Sequence, residues 1–251
     1  MTAQIRRVRT PNQDRVEEQV ESFDLRLLGA FDLRISGQLV PLPLNARRVL
    51  ALLAVRGRPQ VRTNVAYTLW IDTTQSRAMA NLRSTLWKIG PQRDRLLTVC
   101  DELLWLAPEV HVDLIRVVGN AKRLIARAPD AEVECADVDE LAADLLPDWD
   151  DEWLQDERER LRQLRVHALE ALCTRLGSGG RGAEAVCAGQ AAVAAEPLRE
   201  SAQQLLITAH LAEGNVYEAR RQYEIFRRLL WENLQLSPSP QLSELVSATR
   251  G

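Results

Sequence analysis

The spacing of apolar residues divides the chain into a strand-patterned stretch and a long helical remainder. From Phe23, FDLRLL alternates apolar and polar side chains; Gly29 interrupts it, and FDLRI alternates again from Phe31. Ser36-Gly37 predicts a turn into a third short strand, LVPL, ended by Pro41 and Pro43. These three pieces predict a small antiparallel sheet. The period then becomes helical. Residues 44–56 predict a helix with Asn45 near its cap, Val49, Leu50, Leu52 and Leu53 inward, and Gly57 and Pro59 as its stop. Residues 63–70 predict a second helix, capped by Thr63, that buries Val65, Ala66, Leu69 and Trp70. After a short turn at 71–73, residues 73–90 predict a third.

That third helix has two different sides. At about 100° per residue, Ala78, Leu82, Thr85, Leu86 and Ile89 fall on one face, with Met79 at its margin. The opposite face carries Arg77, Ala80, Ser84 and Lys88, flanked by Ser76, Asn81, Arg83 and Trp87. It holds three cations and no acid. Thr74 or Ser76 suits its start, and Gly90-Pro91 stops it. A basic helix closely following another helix is a helix-turn-helix signature, and a basic face of this kind suits DNA. A solvated surface face is the competing reading. After Arg93 and Arg95, LLTVC and LLWLAP flank Asp101-Glu102, which predicts a hairpin where a winged helix carries its wing.

From Asp113 the pattern is helical throughout, with helices at 113–127, 138–145 and 150–176 and a polar loop at 129–137. Trp149 or Trp153 would anchor the long helix. Its run DERERLRQLR interleaves acids and bases, Asp156 with Arg160 among them, and predicts a solvated, ion-paired face. Leu172, Gly180, Glu184 and Ala185 recur 34 residues later as Leu206, Gly214, Glu218 and Ala219. That is the tetratricopeptide period. Two helix pairs, 150–195 and 198–233, with a capping helix near 239–249, predict a short solenoid.

Charge separates the two parts. Residues 23–115 carry eleven Arg and one Lys against eight acids, whereas residues 116–251 carry sixteen Lys and Arg against twenty-three acids. A basic half joined to an acidic half suggests two domains with different partners. The longest apolar run, 49–55, is far shorter than the ~20 residues a bilayer requires, and MTAQIRRVRT has no secretory h-region. A cytoplasmic protein is expected. Four scattered cysteines and three isolated histidines suggest no disulfide frame, metal or cofactor. The chain has no GxxxxGK[ST], GxSxG or HExxH, and Asp148, Asp150 and Asp151 suit a helix N-terminus better than catalysis, so no enzyme is expected.

The run LRLLGAFDLRISGQLVPLPLNARRVLALLA, then LW, then ANLRSTLWKI resembles the Streptomyces antibiotic regulatory protein family. PLRESAQQLLITAHLAEGN, EARRQYEIFRRLL and LQLSPSPQL resemble the bacterial transcriptional activator domain that follows the winged helix there. The resemblance implies an α+β OmpR-type winged helix-turn-helix followed by an all-α, tetratricopeptide-like domain. The organisation expected is a disordered leader at 1–22, a DNA-binding domain at 23–112 and the activator domain at 113–251.

It also implies an activator of secondary-metabolite (antibiotic) genes that binds promoter direct repeats as a homodimer and recruits RNA polymerase. In that reading Arg77, Asn81, Ser84 and Lys88 face base edges in the major groove. Arg47, Arg48, Arg62, Thr63, Thr74, Arg83, Arg93 and Arg95 are placed for the DNA backbone. Trp87 either joins the sugar–phosphate contacts or packs against the sheet or hairpin. The turn at Ile71, Asp72 and Thr73 is where winged-helix activators of this type touch polymerase. The acidic Asp101-Glu102 tip departs from the family, whose wing offers a cation to the minor groove; Arg93 and Arg95 are candidate substitutes. The alternative is a helical-repeat scaffold whose winged helix is a protein-binding module. A ligand-gated regulator is a third possibility, without a convergent polar cluster to support it.

Overall fold

The structure, a computed structural model, describes residues 21–126 and 136–248. All but the last two residues of the predicted leader, most of the polar loop and the end of the capping helix lie outside the described residues. The first elements are β1 (Phe23–Arg26), β2 (Asp32–Ile35) and β3 (Gln38–Leu39). Then come α1 (Leu44–Arg56), β4 (Gln60–Val61), α2 (Arg62–Leu69) and α3 (Gln75–Lys88). A 3-10 turn at Gly90–Gln92 leads to the short α4 (Arg93–Leu96), the hairpin β5 (Leu97–Cys100) and β6 (Leu103–Leu106), and β7 (Val110–Val112). The helical part comprises α5 (Asp113–Ile125), α6 (Ala136–Ala142), α7 (Trp153–Ser178), α8 (Gly182–Ala195), α9 (Glu200–Ala212), α10 (Val216–Leu234) and α11 (Pro240–Ser247). This is a winged helix followed by a helical-repeat domain.

The N-terminal sheet has the order β3-β2-β1-β7, with β7 added parallel to β1 through Phe23–Val110 and Leu25–Val112. The hairpin gains a third strand, β4, which pairs with β6. The apolar pattern predicts neither β4 nor β7. α1 has the predicted bounds because Pro43 precedes it and Gly57, at φ 59°, ends it in the left-handed region. α2 begins one residue earlier than predicted and has no side-chain cap, so Thr63 does not serve as one.

Three features fasten the winged helix to the helical domain. The carboxylate of Asp113, the first residue of α5, accepts the backbone N–H groups of Leu27 (2.9 and 3.1 Å), Leu28 (3.0 Å) and Leu114 (2.7 Å). Leu28 and Leu145 form a bridge, with Leu146 N–H donating to Leu27 at 2.9 Å and Gly29 N–H to Asp144 at 2.7 Å. Leu145, Leu146, Leu154 and Leu161 occupy the same hydrophobic core as Phe23, Leu50 and Leu82. The predicted division between residues 112 and 113 therefore falls on a packed joint. Leu145, expected at the end of a helix, instead leaves α6 to make this pairing.

α7 holds that connection. Arg165, 6% exposed, donates to the carbonyl of Leu141, to that of Ala142 (2.6 Å) and to Asp144 (2.9 Å). Arg158 donates to the carbonyls of Leu145 (2.9 Å), Leu146 and Trp149 (2.7 Å). The run expected as a solvated face is thus half structural, because Arg158 and Arg165 satisfy loop carbonyls that a helix or strand would otherwise pair. Arg160 and Arg162 stay outside, paired with Glu157 (3.3 Å) and Glu159 (2.8 Å) in place of the expected Asp156 partner.

The solenoid follows the 34-residue period. Gly180 (φ 74°) and Gly214 (φ 75°) make the corresponding turns, and Ala185 and Ala219 are fully buried where helices meet. Leu172 and Leu206 are buried as well. Ser239 caps α11 by accepting Leu242 N–H at 3.3 Å.

Burial, and then the Glu170 carboxylate, push the Cys173 thiol up to about 11, whereas Cys100 and Cys187 are exposed. The thiolate is the nucleophile. Alkylation at neutral pH followed by peptide mass mapping should therefore label Cys100 and Cys187 rapidly, and Cys173 only after denaturant unfolds the chain. Rapid labelling of Cys173 in the native protein would contradict this packing.

Candidate nucleic-acid interface

The inner face of α3 is seated in the core: Ala78, Leu82, Thr85 and Leu86 are buried, as is Ile89 just beyond its end. Met79 packs at the margin. This burial fixes which face looks outward. Arg77, Ala80, Arg83, Ser84 and Lys88 are exposed and Asn81 is half-buried. Trp87 is 77% exposed, so it packs against neither the sheet nor the hairpin.

Among the described residues, Arg77, Asn81, Arg83, Ser84 and Lys88 make no side-chain hydrogen bond or ion pair. Their donors are available to an outside acceptor. The face has the chemistry of duplex recognition: guanidinium groups suit guanine and an amide suits adenine. Thr74 stands at the N-cap position without a side-chain cap bond. The hydroxyl and the first-turn N–H groups there suit a phosphate.

The flanking cations are arranged less uniformly. Arg47 donates from Nε to the carbonyl of Leu42 at 2.8 Å and lies 6.0 Å from the centre of the Phe31 ring. Arg48 is ion-paired with Asp151, its Nε donating at 2.8 Å. Both are therefore already engaged within the protein. Arg93 pairs with Asp94 at 2.7 Å; Arg95 pairs with Glu21 and lies 4.7 Å from the Phe23 ring centre. These last pairs are exposed and weak, about 0–1 kcal/mol, so a phosphate can replace the acid.

Arg62 is different. Its backbone N–H donates to the backbone carbonyl of Glu102 at 2.8 Å, tying α2 to the wing turn, and its Nε is buried with no partner among the described residues. Thr63 is half-buried beside it. The wing turn itself is exposed, with Asp101 at φ 51°.

The turn between α2 and α3 projects Ile71, 70% exposed, and the exposed Asp72, while Thr73 donates its hydroxyl to the Trp70 carbonyl at 3.0 Å. It borders a groove of about 950 Å³ whose far wall is the segment around Asp148–Asp156. Asp151 in that wall accepts from Trp153 Nε1 at 3.2 Å as well as from Arg48. Trp149 stacks on Phe31 with ring centres 5.8 Å apart. Local sequence patterns assign these acids to a helix start. Their position opposite basic α1 is a long-range feature, signalled only by the opposite charges of the two halves.

The fold and this basic helix define a transcription regulator built from a winged helix and a helical-repeat domain. The bacterial transcriptional activator domain family matches residues 114–250. The chain belongs to that family. It is 30% identical to Regulatory protein AfsR of Streptomyces coelicolor, over 94% of this chain and 25% of that protein. The same-named protein of Streptomyces griseus is 29% identical, over 95% of this chain and 26% of its own length. The chain thus spans about a quarter of these relatives. Mycobacterium tuberculosis EmbR, solved in complex with a low affinity phosphopeptide, has a similar fold, with a TM-score of 0.69 at 23% identity. That likeness covers 90% of this chain and 64% of EmbR. The expected likeness to the Streptomyces antibiotic regulatory proteins is met. Among the described residues no helix is long and apolar enough to cross a membrane.

Proposed function

We propose that the chain is a sequence-specific DNA-binding transcriptional activator whose α3 reads the major groove. The observation that carries this reading is the acid-free outer face of α3, whose side-chain donors have no partner among the described residues. Arg77, Asn81, Ser84 and Lys88 read base edges. Arg62, Thr63, Thr74 and Arg83 hold phosphates, and Arg93 and Arg95 join them by exchanging their acidic partners. Arg47 and Arg48 are left out of this set because both already serve the protein. The chain acts as a homodimer on direct repeats about 10–10.5 bp apart, so that both copies lie on one side of the duplex. Ile71, Asp72 and Thr73 contact RNA polymerase. The resemblance of the winged-helix motifs to the Streptomyces antibiotic regulatory protein family supports a target among secondary-metabolite, antibiotic-type genes.

Selection from a random-sequence duplex pool, with sequencing of the retained DNA, tests this. The expected result is a motif recurring at one-turn spacing. A folded chain that enriches no motif would leave the scaffold reading in its place.

A further inference from the structure

Burial fixes the direction in which α3 faces outward, and that direction is not the one its charges mark. The buried residues Ala78, Leu82, Thr85, Leu86 and Ile89 centre, at about 100° per residue, on the side opposite Ala80. Trp87 follows Ala80 by about two turns and lies about 20° from it, so these two residues and Ser84 occupy the middle of the open face. Arg77 and Lys88 stand on one shoulder, about 60° and 80° round, and Arg83 stands on the other. Trp87, at 77%, is the most exposed large apolar side chain among the described residues, and its indole N–H has no hydrogen-bond partner among them. A single exposed apolar residue is ordinary on a protein surface. This one stands at the crest of a face otherwise made of cations, hydroxyls, an amide and an alanine. The residues one and two turns toward the N-terminus, Ser84 and Ala80, are small and leave a shelf that a base edge can approach.

We infer that Trp87, with Ala80 beside it, is a specificity-determining residue that reads thymine through its C5-methyl group in the major groove. The inference rests on the proposed insertion of α3 and adds an apolar readout to the polar one. Base chemistry selects thymine. It alone carries an apolar group at its major-groove edge, where guanine, adenine and cytosine present acceptors and donors. Indole offers a large apolar surface, a single donor and no acceptor, so it has little to discriminate among those polar edges. An alanine methyl is itself a partner for the thymine methyl. Covering the indole with that methyl takes apolar surface of both molecules out of water, a gain that is largest for thymine.

The test uses the full chain and the operator recovered by random-pool selection, with each thymine in the enriched positions replaced in turn by deoxyuridine. This replacement removes only the methyl group. In fluorescence anisotropy the parent should lose about three- to tenfold in affinity at one or two thymines. Trp87→Ala should bind the thymine duplex more weakly by at least as much, and be indifferent to deoxyuridine at those positions. Trp87→Phe should keep part of the sensitivity. Any effect of uracil on the duplex itself persists in Trp87→Ala, so the comparison isolates the contact. Circular dichroism checks that the variants are folded, as expected for a side chain outside the core. A parent indifferent to deoxyuridine at every position, an operator with no thymine in the enriched positions, or Trp87→Ala with the parent's full sensitivity would each overturn the inference and leave base reading by Arg77, Asn81, Ser84 and Lys88 standing. Equal weakening of operator and scrambled duplexes by Trp87→Ala would make Trp87 a sugar–phosphate contact, which also overturns it. A pool that enriches no motif removes the base-reading proposal itself, and the thymine contact with it.

Discussion

Arg77→Ala and Lys88→Ala should each weaken binding to the selected operator by about 5- to 150-fold, the equivalent of the ~1–3 kcal/mol carried by one base-reading side chain. The two changes should differ from Arg47→Ala in kind as well as in size. Among the described residues Arg77 and Lys88 have no partner, so their donors are open to DNA. Arg47 already donates to the Leu42 carbonyl, and its loss should cost stability more than affinity. If Arg83 holds a phosphate as proposed, Arg83→Ala should weaken all sequences alike and change the slope of log K against log salt by about 0.9. Fluorescence anisotropy across a salt series on operator and scrambled duplexes separates these outcomes. Arg77→Ala binding both duplexes as the parent does would remove α3 from the interface.

The joint between the two parts should contribute strongly to stability. Asp113→Ala leaves the N–H groups of Leu27, Leu28 and Leu114 without their acceptor. Stranding a buried donor costs ~1–3 kcal/mol, and partial access of water to this site reduces the sum for the three. The expected loss is about 3 kcal/mol, with Asp113→Asn losing less because its amide oxygen still accepts. Urea denaturation followed by both tryptophan fluorescence and circular dichroism measures it. The two probes should also give one coincident transition, since Leu145, Leu146, Leu154 and Leu161 share a core with the winged helix. A fragment ending at residue 112 should not fold, and two separate transitions in the intact chain would contradict a shared core.

The elements legible in the sequence are those with local, repeated signals. α1 is bracketed by Pro43 and Gly57, and the inner face of α3 runs through Ala78, Leu82, Thr85 and Leu86 at helical spacing. The solenoid repeats its glycine turns and small contact residues at one period. β4 and β7, two and three residues long, are too short to carry a period, and only their partners β6 and β1 make them strands. The roles of Asp113, Arg158 and Arg165 depend on backbone groups brought near by the tertiary fold. For the same reason the pattern places Arg77, Asn81, Ser84 and Lys88 on one open face, but it does not reveal that Asp151 occupies Arg48.

The central claim is that α3 distinguishes base sequence. Its most direct test is the affinity of the parent chain and of Asn81→Ala for a set of duplexes, each with one operator base pair replaced. If α3 reads bases, the parent should lose about 1–3 kcal/mol at a few positions, and Asn81→Ala should lose its preference at one of them while keeping the rest. A parent profile that is flat across all positions, or an Asn81→Ala profile identical to the parent's at every position, would contradict it.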